Sequence, residues 1–303
     1  MNNLKRILKN PRLILTFILF RYCHWIDDKT YLRILYFIYL GKWLHLNSPR
    51  TFNEKLQWLK LYDHRPEYTR MVDKVTAKEY VAEIIGEEYI IPTLGVWSNF
   101  DNIDFKTLPN QFVLKCTHDS GGLMVCKDKE EINITSTKAK INKSLSKNYF
   151  YGTREYPYRN VPPRILAEKY IESESHELQD YKFMCFNGKV RCSFVCSERF
   201  SKNGLKVTFF DRTWNRLPFL RKYPNSKVII PKPCNYDKMV ELAEIIAGKI
   251  MNPFVRIDFY DVNGKIYFGE ITFYPGSGLE AFYPAEWDRI LGDWIKYKEN
   301  YND

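Results

Sequence analysis

The residues best suited to bind a metal ion and phosphates lie on two predicted strands near the C-terminus. Alternation along the first strand places Arg256 and Asp258 on one face, and alternation along the second does the same for Glu270 and Thr272. Carboxylates on an otherwise apolar strand are costly to bury unless they are paired or hold a cation. A small set of oxygen ligands suits Mg²⁺ together with phosphates. The alternative is an exposed hairpin that carries an arginine–acid pair.

Whether these four side chains meet depends on the turn between the two strands, Phe254–Tyr260 and Ile266–Phe273. The intervening Asn-Gly pair is a strong hairpin signal. A tight two-residue turn would pair Asp258 with Gly269 and separate the two carboxylates across the sheet. A three-residue loop, Val262–Gly264 with its glycine in the left-handed conformation, would restore the register. We therefore predict the three-residue loop and a shared face for all four side chains.

A second candidate site lies in the segment Phe112–Gly122, where a buried strand with one lysine runs into a polar loop. The loop ends in Gly121 and Gly122, which allow backbone amides to approach an anion, while Lys115 adds a positive charge. This pattern predicts a phosphate cradle, although neither a GxxxxGK[ST] nor a GxGxxG motif is present. A turn with a surface lysine is the alternative.

The composition of the chain limits the class of protein and its compartment. The chain has 303 residues, of which 45% are hydrophobic, enough for one large domain or two closely packed ones. Its 7 cysteines are odd in number and form no CxxC pair, which favours neither a disulfide framework nor a zinc site. We therefore expect a reducing compartment and predict a cytoplasmic protein.

The N-terminal region is basic and contains two apolar runs. Residues 1–50 hold nine Lys/Arg against two acids, so most of the net charge of +10 is located there. The runs, Leu13–Phe20 and Ile34–Leu40, are far shorter than the roughly 20 residues that span a bilayer. They either pack on the body of the protein or lie as a helical hairpin on anionic lipid. Because the charge excess is confined to this region, we expect no nucleic-acid partner.

The remaining chain mixes helix and strand signals and then becomes mostly strands. Thr51 and Glu54 form a predicted capping box at the start of a helix that follows Pro49. The Pro- and Tyr-rich stretch Tyr149–Pro163 is predicted to be a mobile or functional loop. Further predicted helices are Lys74–Ile85, Lys138–Ser146, Met239–Met251 and a stripe over Trp287–Ile295. Further predicted strands are Tyr89–Pro92, Phe112–Cys116, Ile165–Ile171, Asp180–Phe186, Lys189–Cys196 and Val207–Phe210.

Several short motifs occur in an order that resembles a known family. They are Ser48–Trp58, Asp73-Lys74, Phe112–Gly122, Ile165–Ile171, Asp180–Phe183, Val255–Asp258 and Gly269–Thr272. Together they resemble the ATP-grasp superfamily, and more closely its TupA-like branch, which is named for teichuronopeptide biosynthesis. The resemblance extends from about Ser48 to the C-terminus, and the order of the motifs is more specific than any one of them.

The resemblance implies an α+β protein with the ATP-grasp fold, in which two α+β subdomains grip a nucleotide. It divides the chain into a helical N-terminal region, 1–47, and a catalytic region, 48–303. Within the catalytic region we expect a reduced N-terminal part at 48–111, a lid-like subdomain at 112–164 and a C-terminal subdomain at 165–303 with the metal hairpin. A mostly helical segment replaces the family's usual N-terminal substrate domain, so the resemblance implies nothing about acceptor recognition.

The same resemblance implies which residues bind the phosphates of ATP. Lys115 is similar to the lysine that contacts the α- and β-phosphates. Lys74 matches the lysine of the family's Asp-Lys pair, and Lys182 resembles an additional phosphate contact. The flexible loop that covers the phosphates corresponds to Asp119, Ser120, Gly121 and Gly122.

The adenine and ribose contacts implied by the resemblance lie on the next two strands. Glu168 resembles the acid that faces the adenine amino group, and the backbone of Lys169 and Ile171 would hydrogen-bond the ring. Asp180 falls where the family has its ribose acid. We therefore expect the nucleotide base to lie at the end of the strand that begins at Ile165.

The hairpin near the C-terminus matches the family's metal site. Asp258 and Glu270 resemble the carboxylates that bind Mg²⁺, and Arg256 resembles the arginine that steadies the transferring phosphoryl group. Thr272 stands where many members carry an asparagine, so it is the expected third ligand in a changed form. The implied cofactors are ATP and Mg²⁺.

The activity implied by the resemblance is an ATP- and Mg²⁺-dependent carboxylate–amine ligation through an acyl phosphate. The expected carboxylate belongs to a cell-surface polysaccharide or its nucleotide-sugar precursor, and the expected amine is an amino acid. A glycosyltransferase of polysaccharide biosynthesis and a non-catalytic basic adaptor at a membrane or nucleic acid are the alternatives. Residues 1–46 offer a peripheral contact at the inner face of the membrane.

Overall fold

The computed structural model describes residues 11–119, 121–172, 179–198, 201 and 204–297. Ser120 of the predicted phosphate loop lies outside the described residues, as do the first ten residues of the predicted N-terminal region. Within the described ranges, no helix is both long and apolar enough to cross a membrane.

The two apolar runs of the N-terminal region lie in a pair of helices, α1 (Pro11–Tyr22) and α2 (Asp28–Leu40). The Asp27 side chain caps α2, and Gly41 ends it in the left-handed conformation with φ 66°. The pair shares one hydrophobic cluster with Leu279 of the C-terminal part. The apolar runs therefore pack on the body of the protein through one face, while several of their large side chains stay exposed.

The helix α3 (Phe52–Tyr62) begins at the predicted capping box, which is confirmed. The Thr51 hydroxyl accepts from the Glu54 N–H, and the Glu54 carboxylate accepts from the Thr51 N–H. The helix predicted over Lys74–Ile85 begins two residues later than expected. The two helices that follow α3 are α4 (Tyr68–Val72) and α5 (Thr76–Ile85).

Four antiparallel strands form the first sheet, in the order β1-β4-β2-β3. They are β1 (Thr93–Trp97), β2 (Phe112–Cys116), β3 (Leu123–Cys126) and β4 (Ile165–Lys169). Phe112, Leu114 and Cys116 point into a hydrophobic cluster that also contains Ile141 of helix α6 (Ile134–Leu145). Lys115 therefore projects from the opposite face.

Two expectations for the first half of the chain need correction. The strand predicted at Tyr89–Pro92 is a 3₁₀ turn over Glu87–Tyr89, and the strand begins only at Thr93. The stretch Tyr149–Pro163 was expected to lie outside the core, but it contains the short helix α7 (Phe150–Thr153), and three of its polar residues are buried. These are Thr153, Arg154 and Glu155.

Five antiparallel strands form the second sheet, in the order β10-β9-β5-β6-β7. They are β5 (Asp180–Phe186), β6 (Lys189–Ser197), β7 (Lys206–Asp211), β9 (Phe254–Val262) and β10 (Lys265–Thr272). One face packs on helix α8 (Tyr236–Ile250) in the largest hydrophobic core. The remaining elements are the paired short strands β8 (Leu220–Arg221) and β11 (Phe282–Tyr283) and the helix α9 (Glu286–Trp294).

The hairpin of β9 and β10 reaches the expected register by an unexpected route. Val262 pairs with Lys265, so the turn has two residues and the predicted three-residue loop is wrong. The register instead shifts at a β-bulge between Phe268 and Glu270, which pairs Glu270 with Asp258. The one additional residue of the bulge is Gly269.

The bulge also decides which way the side chains of β10 point. Plain alternation would place Phe268 on the face of Glu270, but Phe268 pairs with the buried Phe259 before the shift. After the shift, Glu270 and Thr272 share the face of Arg256 and Asp258. The strand can therefore bury apolar residues in one half and present polar residues to the opposite face in the other.

Gly269→Val should lower the free energy of unfolding by about 1–3 kcal/mol, because the bulge leaves no room for a branched side chain. A Cβ at this position would lie 3.1 Å from the Asp258 carbonyl oxygen and 3.3 Å from the Tyr260 ring. Gly248→Ala in α8 is the control, since a Cβ there meets nothing within 4 Å. Urea denaturation should show no loss for the control, and equal stability of both variants would contradict the bulge.

Candidate functional site

Lys74 lies where charged side chains from both sheets converge. Its N–H donates to the Thr117 carbonyl at 3.3 Å, and its ammonium group donates to the Asp119 carbonyl, just after β2 of the first sheet. Burial lowers the pKa of Lys74, and the carboxylate of Glu270 on the second sheet opposes this effect. We call the convergent set the inter-sheet charge cluster. Its members are Lys74, Lys115, Glu168, Asp180, Lys182, Arg256, Asp258 and Glu270.

Arg256 joins the two carboxylates that the bulge brings together. Its Nε and Nη2 atoms donate to the Asp258 carboxylate at 2.6 and 2.7 Å, and Nη2 also contacts Glu270. Thr272 donates to the same Glu270 oxygen at 3.1 Å. Arg256 and Asp258 are both buried, so the alternative of an exposed arginine–acid pair is wrong.

Asp258 and Glu270 differ in their surroundings although they are neighbours. Asp258 is 0% exposed, and its burial raises its pKa to about 6 against the opposing charges of Arg256 and Lys182. The Glu270 side chain is 46% exposed. Burial of its inner part disfavours the charge, but Arg256, Lys182 and Lys74 together lower its pKa to about 2. At neutral pH, Glu270 is therefore the more exposed and the more fully charged of the two carboxylates.

Lys182 extends this network to β5. Its ammonium group lies 2.6 Å from the Asp180 carboxylate and also contacts Asp258. Burial disfavours its charge, but the two carboxylates raise its pKa above the ordinary value. Lys182, the predicted phosphate contact, thus forms an ion pair with Asp180, the predicted ribose acid. A bound nucleotide would have to share or replace this ion pair.

The donor set fits Mg²⁺ held together with phosphates. Among the described residues, no three His, Cys, Asp or Glu side chains are grouped closely enough to hold a metal ion by themselves. Asp258 and Glu270 are cross-strand neighbours, and the Thr272 hydroxyl lies beside Glu270. Mg²⁺ commonly uses one or two carboxylates and takes its other ligands from water and phosphate oxygens. Two carboxylates that leave the other coordination positions to water and phosphate oxygens are what such a site requires.

Glu168 organises the lysines of the first sheet. It is buried, and its two oxygens lie 2.6 Å from Lys78 and 2.5 Å from Lys115. Burial disfavours its charge, but the two lysines outweigh this effect and lower the pKa of Glu168. Lys115 is therefore held by an ion pair on the face opposite the hydrophobic core, and the alternative of a plain surface lysine is wrong.

Lys78 was not among the site residues predicted from the sequence. Its ammonium group is buried, and it donates to the Ile91 carbonyl at 2.7 Å besides pairing with Glu168. The signal that could have identified it is spacing. Lys78 lies in the first turn of α5 and follows Lys74, which precedes the helix, by four residues. A buried lysine resembles any surface lysine when only the sequence is read.

The loop after β2 is tied at both ends in the described residues. The Asp119 carboxylate accepts from the Gly122 N–H at 3.0 Å and contacts the Ser144 hydroxyl of α6. A side chain at Gly122 would overlap the Cys116 sulfur, which explains the glycine there. A Cβ at Gly121 would lie 3.5 Å from Asp119 Oδ2 and 3.9 Å from Ser144 Oγ, which are ordinary van der Waals contacts. The predicted role of the loop over phosphates remains a prediction.

The predicted adenine contacts lie at the far end of β4. The Lys169 N–H donates to the Pro92 carbonyl at 3.0 Å and is therefore already used within the protein. The Lys169 carbonyl is thus the backbone group of this residue that we consider as a contact with the adenine ring. Ile171 follows the strand and is half-buried. Glu168 makes ion pairs with lysines, a role that the predicted adenine contact did not include. These three positions remain adjacent candidates for the base.

Several solved structures resemble this one at low sequence identity. The D-alanine–D-alanine ligase of Bacillus anthracis complexed with ATP is 15% identical over 74% of this chain and 63% of its own, with a TM-score of 0.42. The corresponding ligase of Helicobacter pylori is 17% identical over 75% and 63%, with a TM-score of 0.39. A RimK-domain ATP-grasp protein of Sphaerobacter thermophilus is 12% identical over 75% and 69%, with a TM-score of 0.39.

The comparison with family models identifies the chain more directly. The chain spans 63% of the length of the two ligases, and a search of curated proteins found no match. The model described as TupA-like ATPgrasp matches residues 54–296, which is most of the chain. The predicted α+β class and the helical N-terminal region are confirmed. The chain belongs to the TupA-like ATP-grasp family.

Proposed function

We propose that the protein is an ATP- and Mg²⁺-dependent ligase that joins a carboxylate to an amine through an acyl phosphate. The observation that carries the proposal is the arrangement of Arg256 between Asp258 and Glu270, opposite Lys74. Phosphoryl transfer needs little covalent help from a protein, because positioning and charge stabilisation do most of the work. The inter-sheet charge cluster supplies cations and carboxylates for both purposes.

The proposed reaction has two steps. In the first, a carboxylate oxygen of the substrate attacks the γ-phosphorus of ATP, and ADP leaves with the electrons of the broken P–O bond. In the second, the amine attacks the acyl carbon, phosphate leaves with the bonding electrons, and the amine proton passes to solvent. Arg256 would stabilise the charge that develops on the transferring phosphoryl oxygens.

The lysines and carboxylates of the cluster have separate tasks in this proposal. Lys74 and Lys115 would bind phosphate oxygens, and Glu168 holds Lys115 in position by its ion pair. Asp258, Glu270 and Thr272 would hold Mg²⁺, which neutralises charge on the β- and γ-phosphates when bound. These side chains are already held by hydrogen bonds or ion pairs, so ligand binding would exchange their partners and would not have to order free side chains.

The substrate class rests on the family resemblance. We propose a carboxylate on a cell-surface polysaccharide or its nucleotide-sugar precursor and an amino acid as the amine. A glycosyltransferase would need a nucleotide-sugar site, and none of the described contacts favours one. A non-catalytic adaptor would not need Arg256 buried between two carboxylates. ATP-dependent ADP formation separates the proposal from both alternatives.

Screening hexuronates, nucleotide hexuronates and amino acids should find a combination that stimulates Mg²⁺-dependent formation of ADP from ATP. Hydroxylamine added during turnover should trap the acyl phosphate as a hydroxamate of the carboxylate substrate. Arg256→Ala controls for contaminating ATPases, because it should bind ATP but form ADP about 10²–10³-fold more slowly. AMP and pyrophosphate as products would show adenylation and contradict the proposed intermediate.

We further propose that the protein works in the cytoplasm at the inner face of the membrane. Trp25 is 82% exposed and Trp43 is 70% exposed, and both belong to the segment around α1 and α2. Arg21, Arg33 and Lys42 are exposed in the same segment. Exposed tryptophans beside basic residues suit an anionic lipid interface, where each basic residue contributes about 1 kcal/mol.

Replacing both tryptophans, as Trp25→Ser with Trp43→Ser, should reduce sedimentation with phosphatidylserine vesicles by about tenfold or more. Point variants are preferable to deletion, because the helix pair shares a hydrophobic cluster with the catalytic region. Ile229→Ser is the matched control, since Ile229 is 90% exposed but distant in sequence from the helix pair. Unchanged vesicle binding in the double variant would contradict the membrane contact, and binding to nucleic acid in its place would favour the adaptor.

A further inference from the structure

The motif at the start of α3 supports the family resemblance but supplies none of the inter-sheet charge cluster. Three of its polar side chains, Asn53, Gln57 and Lys60, are nevertheless buried, and Lys60 is only 2% exposed. Their spacing of four and three residues places them on one face of the helix. Burying an amide or an ammonium group is costly without hydrogen bonds, so this face needs partners.

All three side chains donate to carbonyl groups of the same loop. Gln57 Nε2 donates to the Ser277 and Gly278 carbonyls, each at 2.9 Å, and Lys60 Nζ donates to the Ser277 carbonyl at 2.9 Å. Asn53 Nδ2 donates to the carbonyl of Glu280 at 3.0 Å. One helix face therefore fixes the backbone of the segment that follows β10.

The loop needs this support because its backbone is unusual. Gly276, Ser277 and Gly278 are left-handed in succession, with φ of 59°, 55° and 61°. This region is unfavourable for a serine, and such conformations persist only where surrounding contacts hold them. A Cβ at Gly278 would lie 2.6 Å from Gln57 Nε2 and 2.9 Å from Leu56 Cβ, so the loop packs directly on α3.

The same loop directly follows the strand that carries Glu270 and Thr272. It begins three residues after Thr272, and the Ser277 hydroxyl donates to the buried carboxylate of Glu155. Burial raises the pKa of Glu155, and the positive charges of Lys60 and Arg256 oppose that shift.

We propose that the polar face of α3, formed by Asn53, Gln57 and Lys60, is a positioning element for phosphoryl transfer. By holding the loop that follows β10, it sets the shape of the cleft where the acceptor meets the γ-phosphate. This inference rests on the proposed ATP-dependent reaction. A displacement of about 1 Å near reacting groups can reduce a rate 10²-fold without loss of substrate binding.

The test compares two lysines of the same helix. Lys60→Met removes the donor to the Ser277 and Thr153 carbonyls, whereas Lys55→Met removes a donor to the Ile295 carbonyl, which lies 2.7 Å from the Lys55 ammonium group. Both changes remove lysine–carbonyl hydrogen bonds and keep an unbranched side chain. Circular dichroism establishes that each variant is folded, and Gln57→Met replaces Lys60→Met if that variant is not.

Two readouts separate positioning from a merely structural role. Calorimetry with Mg²⁺ and ATP should give dissociation constants within about twofold of the wild type for both variants. ADP formation, measured with water as acceptor and with the acceptor from the screen, should fall about 10²-fold in Lys60→Met and stay unchanged in Lys55→Met.

The possible results distinguish this inference from the proposed function. Wild-type turnover in Lys60→Met, or parallel losses of affinity and turnover, would overturn the positioning role while leaving the ligase proposal intact. A wild-type protein that binds no ATP or forms no ADP under any of these conditions would overturn both.

Discussion

The contact of Arg256 with two carboxylates depends on a single additional residue in a β-strand. Without the bulge at Gly269, the two-residue turn would put Asp258 opposite a glycine and send Glu270 to the other face. With it, both carboxylates reach the arginine, and the apolar residues of β10 still reach the core. A local irregularity thus allows one strand to serve the hydrophobic core and a polar site at the same time.

Most charges around this contact are paired with one another before any ligand binds, and Lys78 adds a further cation at Glu168. The inter-sheet charge cluster holds four cations and four carboxylates, and its ion pairs fix lysines that would otherwise be flexible. A nucleotide triphosphate and Mg²⁺ bring anions and a cation together, so they can exchange partners with the cluster without leaving a charge unpaired. Asp258 illustrates this, because Lys182 keeps Asp180 and Arg256 keeps Glu270 when the Asp258 charge is removed.

Sequence periodicity predicted most strands, because buried apolar residues repeat every second position along them, whereas the fold class was implied by the family resemblance. The strand Phe112–Cys116 and the hairpin around Asn187-Gly188 are found where expected. Periodicity could not predict the bulge, since Gly269 fits a regular strand equally well and only the packing of Phe268 requires the shift. For the same reason, the shared face of Arg256, Asp258, Glu270 and Thr272 was predicted from a three-residue loop, whereas the bulge produces it.

Buried polar groups were the second class of residue that the sequence could not reveal. Lys60 and Lys78 look like solvent-facing helix residues, but each donates to a backbone carbonyl inside the protein. Glu155 lies in a stretch whose prolines and tyrosines predicted a mobile or functional loop outside the core, and it is buried against Ser277. Their partners are far away in the chain, so only the folded structure shows what satisfies them.

The central claim is that Asp258 and Glu270 form the metal site of a bound nucleotide, and calorimetry on Asp258→Asn tests it most directly. The variant should remain folded, because its neighbouring cations keep other carboxylate partners. Wild-type protein should bind ATP more tightly with Mg²⁺ than with EDTA, and Asp258→Asn should lose that difference. If the folded variant retains the full Mg²⁺ dependence of ATP binding, this hairpin is not the metal site.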